Sequence, residues 1–585
     1  MTDLIVSRRE IDFLMHDWLD ISGLLVRAGV TDHDRETIDG FIELSERLAV
    51  DAFLPFYKEA DQCEPWQDTD GLVHILPSLA HAVHQHAELG ILAAGFAPEL
   101  GGVAMPFLAS SATLAMFMSA NISAASFTMI SAANARLICT FGSPAQIDMF
   151  ARPQIEGRWW GTMCLSEPQA GSSLGDIRTR AEHEGEDEFG QRYRITGHKM
   201  WISAADHDGA ENIVHLVLAK VPQPDRSLPE GTQGISLFIV PKILPDGLRN
   251  DTVVAGLNHK MGYRGIPNTI FNLGEQTGAV GWMVGAPGQG LKQMFMMMNE
   301  ARIGVGIGAA ALAWRGYRHA VAYARERKQG RPAGQRGGDS VPIIQHADVK
   351  RMLLAQKALA EGALALCFYC AKLVDERDDA DSAALLNLLT PVTKTWPAEN
   401  GLVANDLAIQ THGGYGYTRD FDVEQIYRDN RLNPIHEGTT GIQAIDLLDR
   451  KLLRDNGRSL AVLLARVKTT AARASLDAGL CCHAATLLAT WDELEELITT
   501  FGTNKARSLA YATPFIQSFG HAIVAWLWLD IALCVSAGTN LAFAEAKLRA
   551  CRYFFEVEVP RIGAWLSPVI TGSDVVVGAP DTTFD

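Results

Sequence analysis

The sequence predicts an α+β multidomain protein: a helical segment, a mainly antiparallel β domain, a second helical segment and a further helical block. Three observations carry this reading. Apolar residues recur at helical spacing before about residue 155 and again from about 290. Between about 160 and 285 the pattern changes to alternating, β-branched runs separated by Gly, Asp, Asn and Pro clusters. The length, 585 residues, suits about three to five domains at roughly 100–200 residues each.

The elements follow in order. FIELSERLAVDAFLPFY sets Phe41, Leu44, Leu48 and Phe53 at helical intervals. GLVHILPSLAHAVHQHAELG reads as a second helix, with Pro77 near its first turn. MPFLASSATLAMFMSANIS and FTMISAANARLICTFG, rich in Ala, Leu and Met, read as buried helices, and Gly142-Ser143-Pro144 ends that run. ENIVHLVLAKV and GISLFIVPKI read as strands. VKRMLLAQKALAEGALALCFYCAKLV restores helical periodicity through Met352, Leu359, Ala363, Leu366, Cys370 and Leu373. QGRPAGQRGGDSVP reads as an exposed loop, and Asn456-Gly457 as a turn before an Ala- and Leu-rich helical remainder. The expected boundaries are 1–157, 158–285, 286–455 and 456–585.

Composition narrows the function classes. Hydrophobic residues make up 48% and charged residues 20%, which excludes a disordered or collagen-like chain. The net charge of −17 argues against binding nucleic acid over the whole surface. Nine scattered cysteines and an N-terminus that carries acids early, with no uninterrupted apolar stretch, suggest a reducing, cytoplasmic setting without a secretory signal. The best candidate for a membrane span, Ala522 to Gly538, is interrupted by Asp530, so a buried helix is expected there and no transmembrane segment. Cys367-x-x-Cys370 lies in a helical run with no second pair nearby, and His33, His84, His86 and His207 have no ligand spacing; no metal is expected.

Three segments carry chemistry. In MCLSEPQAGSSLGDIRTRA, Gly171-Ser172-Ser173 offers backbone N–H groups and hydroxyls that suit a phosphate, though a plain polar turn has the same composition. In GHKMWISAAD, Trp201 suits the wall of a flat ring system or a buried core position. In IQTHGGYGYTRDFDVEQIYRDNRLNPIHEGTT, the glycines at 413, 414 and 416 permit close approach, and Glu437 is either a buried base or an exposed turn residue.

Together these segments resemble the acyl-CoA dehydrogenases. The resemblance rests on Leu165-Ser166-Glu167-Pro168-x-Ala170-Gly171-Ser172, on Gly197-x-Lys199-x-Trp201-Ile202-Ser203, and on Gln410-x-x-Gly413-Gly414-x-Gly416-Tyr417 followed by Arg428-Asp429 and Glu437-Gly438-Thr439. Arg302 and Glu326-Arg327-Lys328 stand in family order between them. It spans roughly residues 40 to 455. The block after 455 is similar in length and layout to long bacterial members, including long-chain acyl-CoA dehydrogenases and 3-(methylthio)propionyl-CoA dehydrogenases.

The resemblance implies a four-helix bundle after the β domain and FAD as cofactor, shared across a homodimer or a dimer of dimers. It implies α,β-desaturation of an acyl-CoA in fatty acid β-oxidation, with electrons passing to an electron-transfer flavoprotein. Glu437 is implied as the base. Leu165, Ser166, Trp201, Ile202 and Ser203 are implied around the flavin ring, and Gly171 and Ser172 on the loop shared by FAD and CoA. Arg327, Gln410, Gly413 and Gly414 are implied at the FAD diphosphate and adenosine, with Thr439 as a further FAD contact. Asn299, Arg302, Ser172, His436 and Gly438 are implied on the substrate side, Arg302 being equally suited to a helix salt bridge. The chain departs from the common pattern at Gln329-Gly330-Arg331, where many members have an aromatic, at His436, where a tyrosine is frequent, and at Gly441, where Gln is frequent. An acyl-CoA oxidase of the same fold is the alternative within the enzymes. A DNA-binding, non-catalytic relative is disfavoured because residues 461–585 hold nine basic against twelve acidic side chains. Met294, Phe295 and Met296 to Met298 suit either an acyl tunnel or core packing.

Overall fold

The computed structural model describes residues 4–29, 32–501, 505–536 and 541–585; the side chains of 296–298 and 505–507 lie outside the described set. The methionine cluster at 296–298 and the last two residues of the apolar stretch ending at Gly538 therefore fall outside it. The chain forms two compact units. One holds residues 36–106 and 116–301; the other holds 1–35, 107–115 and 302–585.

The first unit is built on ten strands: β1 Trp66–Gln67, β2 Val73–His74, β3 Trp159–Cys164, β4 Arg180–Asp187, β5 Gly190–Ser203, β6 Asn212–Lys220, β7 Ile235–Pro241, β8 Thr252–Leu257, β9 Asn268–Leu273 and β10 Ala279–Met283. β1 and β2 form a small antiparallel hairpin. The main sheet runs β10-β7-β6-β4-β5-β9-β8, and β10 also pairs with β5, closing five strands into a ring. Most pairings are antiparallel, as the alternating runs predict; β3 and β4 lie parallel to β6. β6 and β7 are buried along their whole length, which explains their nearly unbroken apolar sequences. Val214, Leu216 and Leu218 face a core shared with Ala135, Leu137, Ile138 and Phe150 of the helical segments. Val217 and Ala219 face the opposite core with Ile195, Phe238 and Val240. Asn134, in the helix Ile122–Phe141, bridges the parallel pair by donating to Thr162 O at 2.9 Å and Val214 O at 2.8 Å.

One predicted helix is shorter than its sequence pattern. Val73–His74 is a strand and the helix begins at Pro77, because the residue before a proline is driven to extended backbone and proline is tolerated at the first helical position.

The second unit is helical. Its long members are Gly290–Glu326 (which begins in the first unit), Ala347–Asp375 and Ala380–His412, followed by Val423–Asn430 and Thr440–Ile445. Asn456 (φ 53°) and Gly457 (φ 76°) make the expected turn. Beyond it come Arg458–Ala474, Cys481–Phe501, Ala512–Ser536, Leu541–Tyr553 and Arg561–Ile570. Ala512–Ser536 packs against both Ala347–Asp375 and Ala380–His412, so residues 456–585 share the bundle's core. Lys547 is buried between Glu10 and Glu361, tying the last helices to the first and to the bundle. Two helices, Ile122–Phe141 and Ala512–Ser536, are long and apolar enough to cross a membrane; 67% and 83% of their most apolar windows are buried within the protein.

Cys367 and Cys370 sit buried in Ala347–Asp375. Burial pushes the Cys370 thiol up to about 12, against a contact with Thr393 Oγ1 at 2.9 Å. A thiol held protonated is a core side chain, not a redox partner.

Candidate active site

In the β unit, the first two motifs are joined by a buried ion pair that the sequence reading did not single out. Lys199, fully buried on β5, donates to Glu167 Oε1 at 3.0 Å, Leu165 O at 3.1 Å and Leu218 O at 2.8 Å. Glu167 also accepts from the Arg178 N–H (2.7 Å), the Thr179 N–H (3.0 Å) and Thr179 Oγ1 (2.6 Å). Desolvation alone raises this carboxyl; the Lys199 charge and those hydrogen bonds outweigh it and hold it at about 2. The Met200 N–H donates to Ser166 O at 3.0 Å, so the two motifs also pair through their backbones.

This lock sets the end of β5. Pairing with β9 slips between Lys199 and Ile202, forming a bulge, and Trp201 takes a left-handed φ of 65°. A bulge re-aims a side chain, and here Trp201 is 63% exposed while Ile202 is buried. That excludes the core reading of Trp201 and leaves an aromatic surface presented beside half-buried Leu165 and Ser166. Ser203 is held through its carbonyl by Thr162 Oγ1 at 2.5 Å. Gly171 and Ser172 lie on an exposed bend, with open space where a Gly171 side chain would stand.

In the helical unit, Glu437 occupies a strained turn. Its φ is 53° and that of Gly438 is 88°. A non-glycine residue in this region costs about 1–3 kcal/mol and persists only where its surroundings hold it. Gln443 Nε2 donates to Glu437 O at 2.9 Å, and Lys394 Nζ donates to Gly438 O at 2.7 Å. Thr440 donates its hydroxyl to Glu399 and its N–H to Pro434 O at 3.1 Å. Thr439 caps the helix Thr440–Ile445. A side chain at 438 would meet Gln443 Nε2 at 2.6 Å, so glycine is required for the clamp to form.

By surface area the Glu437 side chain is exposed, the turn-residue outcome of its two readings, although protein atoms still surround the carboxylate closely enough to shift it. Desolvation raises its pKa above the usual carboxylate value, while the Arg302 and Lys394 charges pull the other way. Arg302 is buried and bonded to Asp446 Oδ2 at 3.1 Å, which is the helix salt bridge foreseen as one of its two readings. Asn299 is half-buried on Gly290–Glu326. His436 lies at the end of an asparagine chain: Asn405 Oδ1 accepts from Asn430 (2.7 Å), Asn430 Oδ1 from Asn433 (2.9 Å), and Asn433 Oδ1 from His436 Nε2 (3.1 Å). That order places the imidazole proton on Nε2. Desolvation, helped by Lys394, pushes the His436 pKa to about 3, so this histidine beside the base is neutral.

A second feature of the helical unit is a cavity of about 470 Å³. Four residues singled out from sequence, Arg327, Gln410, Gly413 and Gly414, line it together. Gly413 ends the helix Ala380–His412 with φ 61°, and neither Gly413 nor Gly414 has an atom within 4 Å of where a side chain would begin. Tyr323 stacks on His412 (centroids 4.3 Å apart), and Arg327 lies over Tyr415 (5.8 Å). An exposed guanidinium and aromatic faces are groups that receive a phosphate and a flat base, and the open glycine backbone leaves room for them. Three residues of this wall, Tyr323, His412 and Tyr415, were missed from sequence; Tyr415 stands within the glycine motif, but only the fold brings it to Arg327.

Comparison with known proteins agrees with these features. Residues 162–273 match the acyl-CoA dehydrogenase middle domain, 288–452 the acyl-CoA dehydrogenase C-terminal domain, and 463–580 an acetyl-CoA dehydrogenase C-terminal-like domain. The chain is 35% identical over 518 residues to a 3-methylmercaptopropionyl-CoA dehydrogenase of Ruegeria pomeroyi, covering 85% of this chain and 86% of that one. It is 29% identical over 618 residues to a butyryl-CoA dehydrogenase of Syntrophomonas wolfei, covering 99% of each. A solved acyl-CoA dehydrogenase complexed with FAD from Bacillus anthracis shares the fold, with a TM-score of 0.75 at 20% identity over 94% of this chain and 90% of that one. The chain belongs to the acyl-CoA dehydrogenase family and is an oxidoreductase of that FAD-dependent class.

Proposed function

We propose that this enzyme desaturates a short, linear acyl-CoA to the trans-2-enoyl-CoA, with Glu437 as the base that removes the α-proton. The observation that carries the reading is the turn that presents the carboxylate: Glu437 in a left-handed conformation beside Gly438, with both carbonyls held by side-chain clamps. A glutamate in water has a pKa of about 4.3, too weak for a proton α to a thioester; the upward shift of Glu437 is in the useful direction, and an acyl chain bound against it would add to the desolvation. The two pinned peptides fix the backbone of the turn that carries the carboxylate; the Glu437 N–H, on the peptide before them, would serve the thioester oxygen as it gains enolate charge.

The residues present fit FAD. Trp201 on its bulge, with Leu165, Ser166, Ile202 and Ser203, would take the ring system; Gly171 and Ser172 would serve the loop beside it; Arg327, Gln410, Gly413 and Gly414 would hold the diphosphate and adenosine end, and Thr439 would be a further contact. When bound, FAD supplies the acceptor for the β-hydride. Asn299, Arg302, His436 and Gly438 are proposed on the substrate side, with Arg302 acting through its bond to Asp446. His436, being neutral, contributes a dipole and not a charge.

A short chain is favoured because both relatives named above act, by name, on acyl groups with short linear backbones. We extend to this chain a homodimer or dimer of dimers, an electron-transfer flavoprotein as acceptor, a cytoplasmic setting and a place in β-oxidation. 3-(Methylthio)propionyl-CoA is the second substrate reading, favoured by the 35% identity to the Ruegeria enzyme. The test is an anaerobic titration of the FAD-loaded protein with butyryl-, 3-(methylthio)propionyl- and longer acyl-CoAs, following flavin absorbance, beside Glu437→Gln. Bleaching in the wild type alone supports the reading, and the fastest substrate assigns the class. Loaded flavin that no acyl-CoA bleaches would overturn it; peroxide formed during aerobic turnover would indicate an oxidase.

A further inference from the structure

The helix Ala380–His412 brings an unusual group to the catalytic turn. Its stretch Thr390-Pro391-Val392-Thr393-Lys394-Thr395-Trp396-Pro397 has two prolines in the helix interior. Pro397 has no N–H for the carbonyl four residues earlier, Thr393 O, and Gly306 of the neighbouring helix packs there so closely that a side chain would meet Thr393 O at 2.2 Å. Lys394 follows this junction, and its side chain is entirely buried. A buried ammonium is expensive unless it is paired and hydrogen-bonded. A neutral amide would hold the Gly438 carbonyl at lower cost, as Gln443 holds the adjacent one. Stability therefore does not explain why this position carries a charge.

The charges around it do. Glu437 faces it from the loop and Glu399 from its own helix; Arg302 faces it from Gly290–Glu326. Asp446 neutralises Arg302 at 3.1 Å and also draws Arg450 at 3.6 Å, while Lys451 is bonded to Asn387. His436 is neutral. Arg302 exerts the larger pull on the Glu437 carboxyl and Lys394 the next, but Lys394 is bonded to a carbonyl rather than to a carboxylate, so its charge adds to that of Arg302 on the base.

Resting on the reading of Glu437 as the base, we infer that Lys394 is a positioning residue with two roles: it clamps the catalytic turn through the Gly438 carbonyl, and its charge keeps the Glu437 carboxylate ionised between turnovers. Burial lowers the Lys394 pKa to about 8, so the ammonium is present at neutral pH and lost above it. After proton abstraction the same charge favours release of the proton from Glu437.

The experiment compares FAD-loaded wild type, Lys394→Gln, Lys394→Met, Lys394→Arg and Glu437→Gln by anaerobic stopped flow with butyryl-CoA from pH 5.5 to 9. Lys394→Gln removes the charge and leaves an amide donor directed at Gly438 O, one bond shorter than the ammonium. The acidic limb of its rate profile is expected to move up by about one pH unit, an approximately tenfold loss of rate below the limb. Lys394→Arg restores the limb, and Lys394→Met shows the same shift with a further pH-independent loss. Should Lys394→Met fail to hold FAD or to fold, the glutamine and arginine variants decide alone. An unmoved limb in Lys394→Gln overturns the proposal, even if its rate is lower at every pH. Bleaching that survives in Glu437→Gln overturns the assignment of the base instead, whatever the lysine variants do.

Discussion

Replacing Lys199 by methionine tests whether the buried Lys199–Glu167 pair holds the Trp201 end of the β domain, where the flavin ring is proposed to lie. The side chains are 0% and 3% exposed. Methionine matches the lysine stem and removes the ammonium, stranding a carboxylate held near a pKa of 2 without its countercharge. Four donors to Glu167 remain: the Arg178 and Thr179 N–H groups, the Thr179 hydroxyl and Gln169 Nε2. Leu165 O and Leu218 O also lose the ammonium as a donor. Breaking a buried pair from one side costs about 3–5 kcal/mol. Since Leu165 O is one of the lost acceptors and Met200 N–H binds Ser166 O, the damage falls on the segments beside Trp201. The assay is urea unfolding together with the FAD-to-protein absorbance ratio. Lys199→Met should lose both stability and flavin, and Lys199→Met/Glu167→Gln should be less destabilised than the sum of the single variants by about 0.5–3 kcal/mol. A Lys199→Met protein with the wild-type unfolding midpoint and full flavin would refute the reasoning.

Other expectations are measurable by the same means. The folded pKa of Glu167 is depressed from 4.5 to about 2, so its contribution is fully present above pH 4.5 and is lost as pH falls through about 2; Glu167→Gln should flatten the fall in stability over that window, read by urea midpoints against pH. Gly438→Ala forces a side chain against Gln443 Nε2 at 2.6 Å with φ at 88°, and should slow flavin bleaching about 10–100-fold while FAD content stays constant. Arg327→Ala removes the guanidinium from the 470 Å³ cavity and should weaken FAD retention by about 1.5–3 kcal/mol, measured by flavin release on dilution. Gly520→Val drives a side chain into Trp396, 2.5 Å from where it would begin, and should cost about 1–3 kcal/mol in urea unfolding.

What was legible in the sequence was whatever depends on local pattern. β6 and β7 were visible because they are buried on both faces, and the helices of the second unit because their apolar stripes recur. The four lining residues Arg327, Gln410, Gly413 and Gly414 were named through the family resemblance, not from local chemistry, since they stand in two separate motifs. The pairs that hold the site were not. Glu167 and Lys199 were quoted as letters of two motifs 32 positions apart, and nothing local says that one carboxylate serves one ammonium. Lys394 lies 44 positions from the carbonyl it holds, between two prolines inside one helix. The orientation of Trp201 depends on a bulge, and a bulge follows from the register of two strands, not from the letters of one.

The helical block after residue 455 gains a physical role from the same contacts. On the helix Ala380–His412, Trp396 stands between Lys394, which holds Gly438, and Glu399, which accepts from Thr440. The indole of Trp396 donates to His521 Nδ1 at 2.9 Å and presses on Gly520, both in Ala512–Ser536. Ala512–Ser536 also packs against Thr440–Ile445, the helix that follows the Glu437 turn and carries Gln443. One helix of the block therefore abuts both elements that pin Glu437, and it is itself anchored through Trp528 to Ala358 O and through Asp530 to Trp18. A strained turn needs surroundings that over-determine it, and here part of that support comes from residues beyond 455 that never reach the carboxylate.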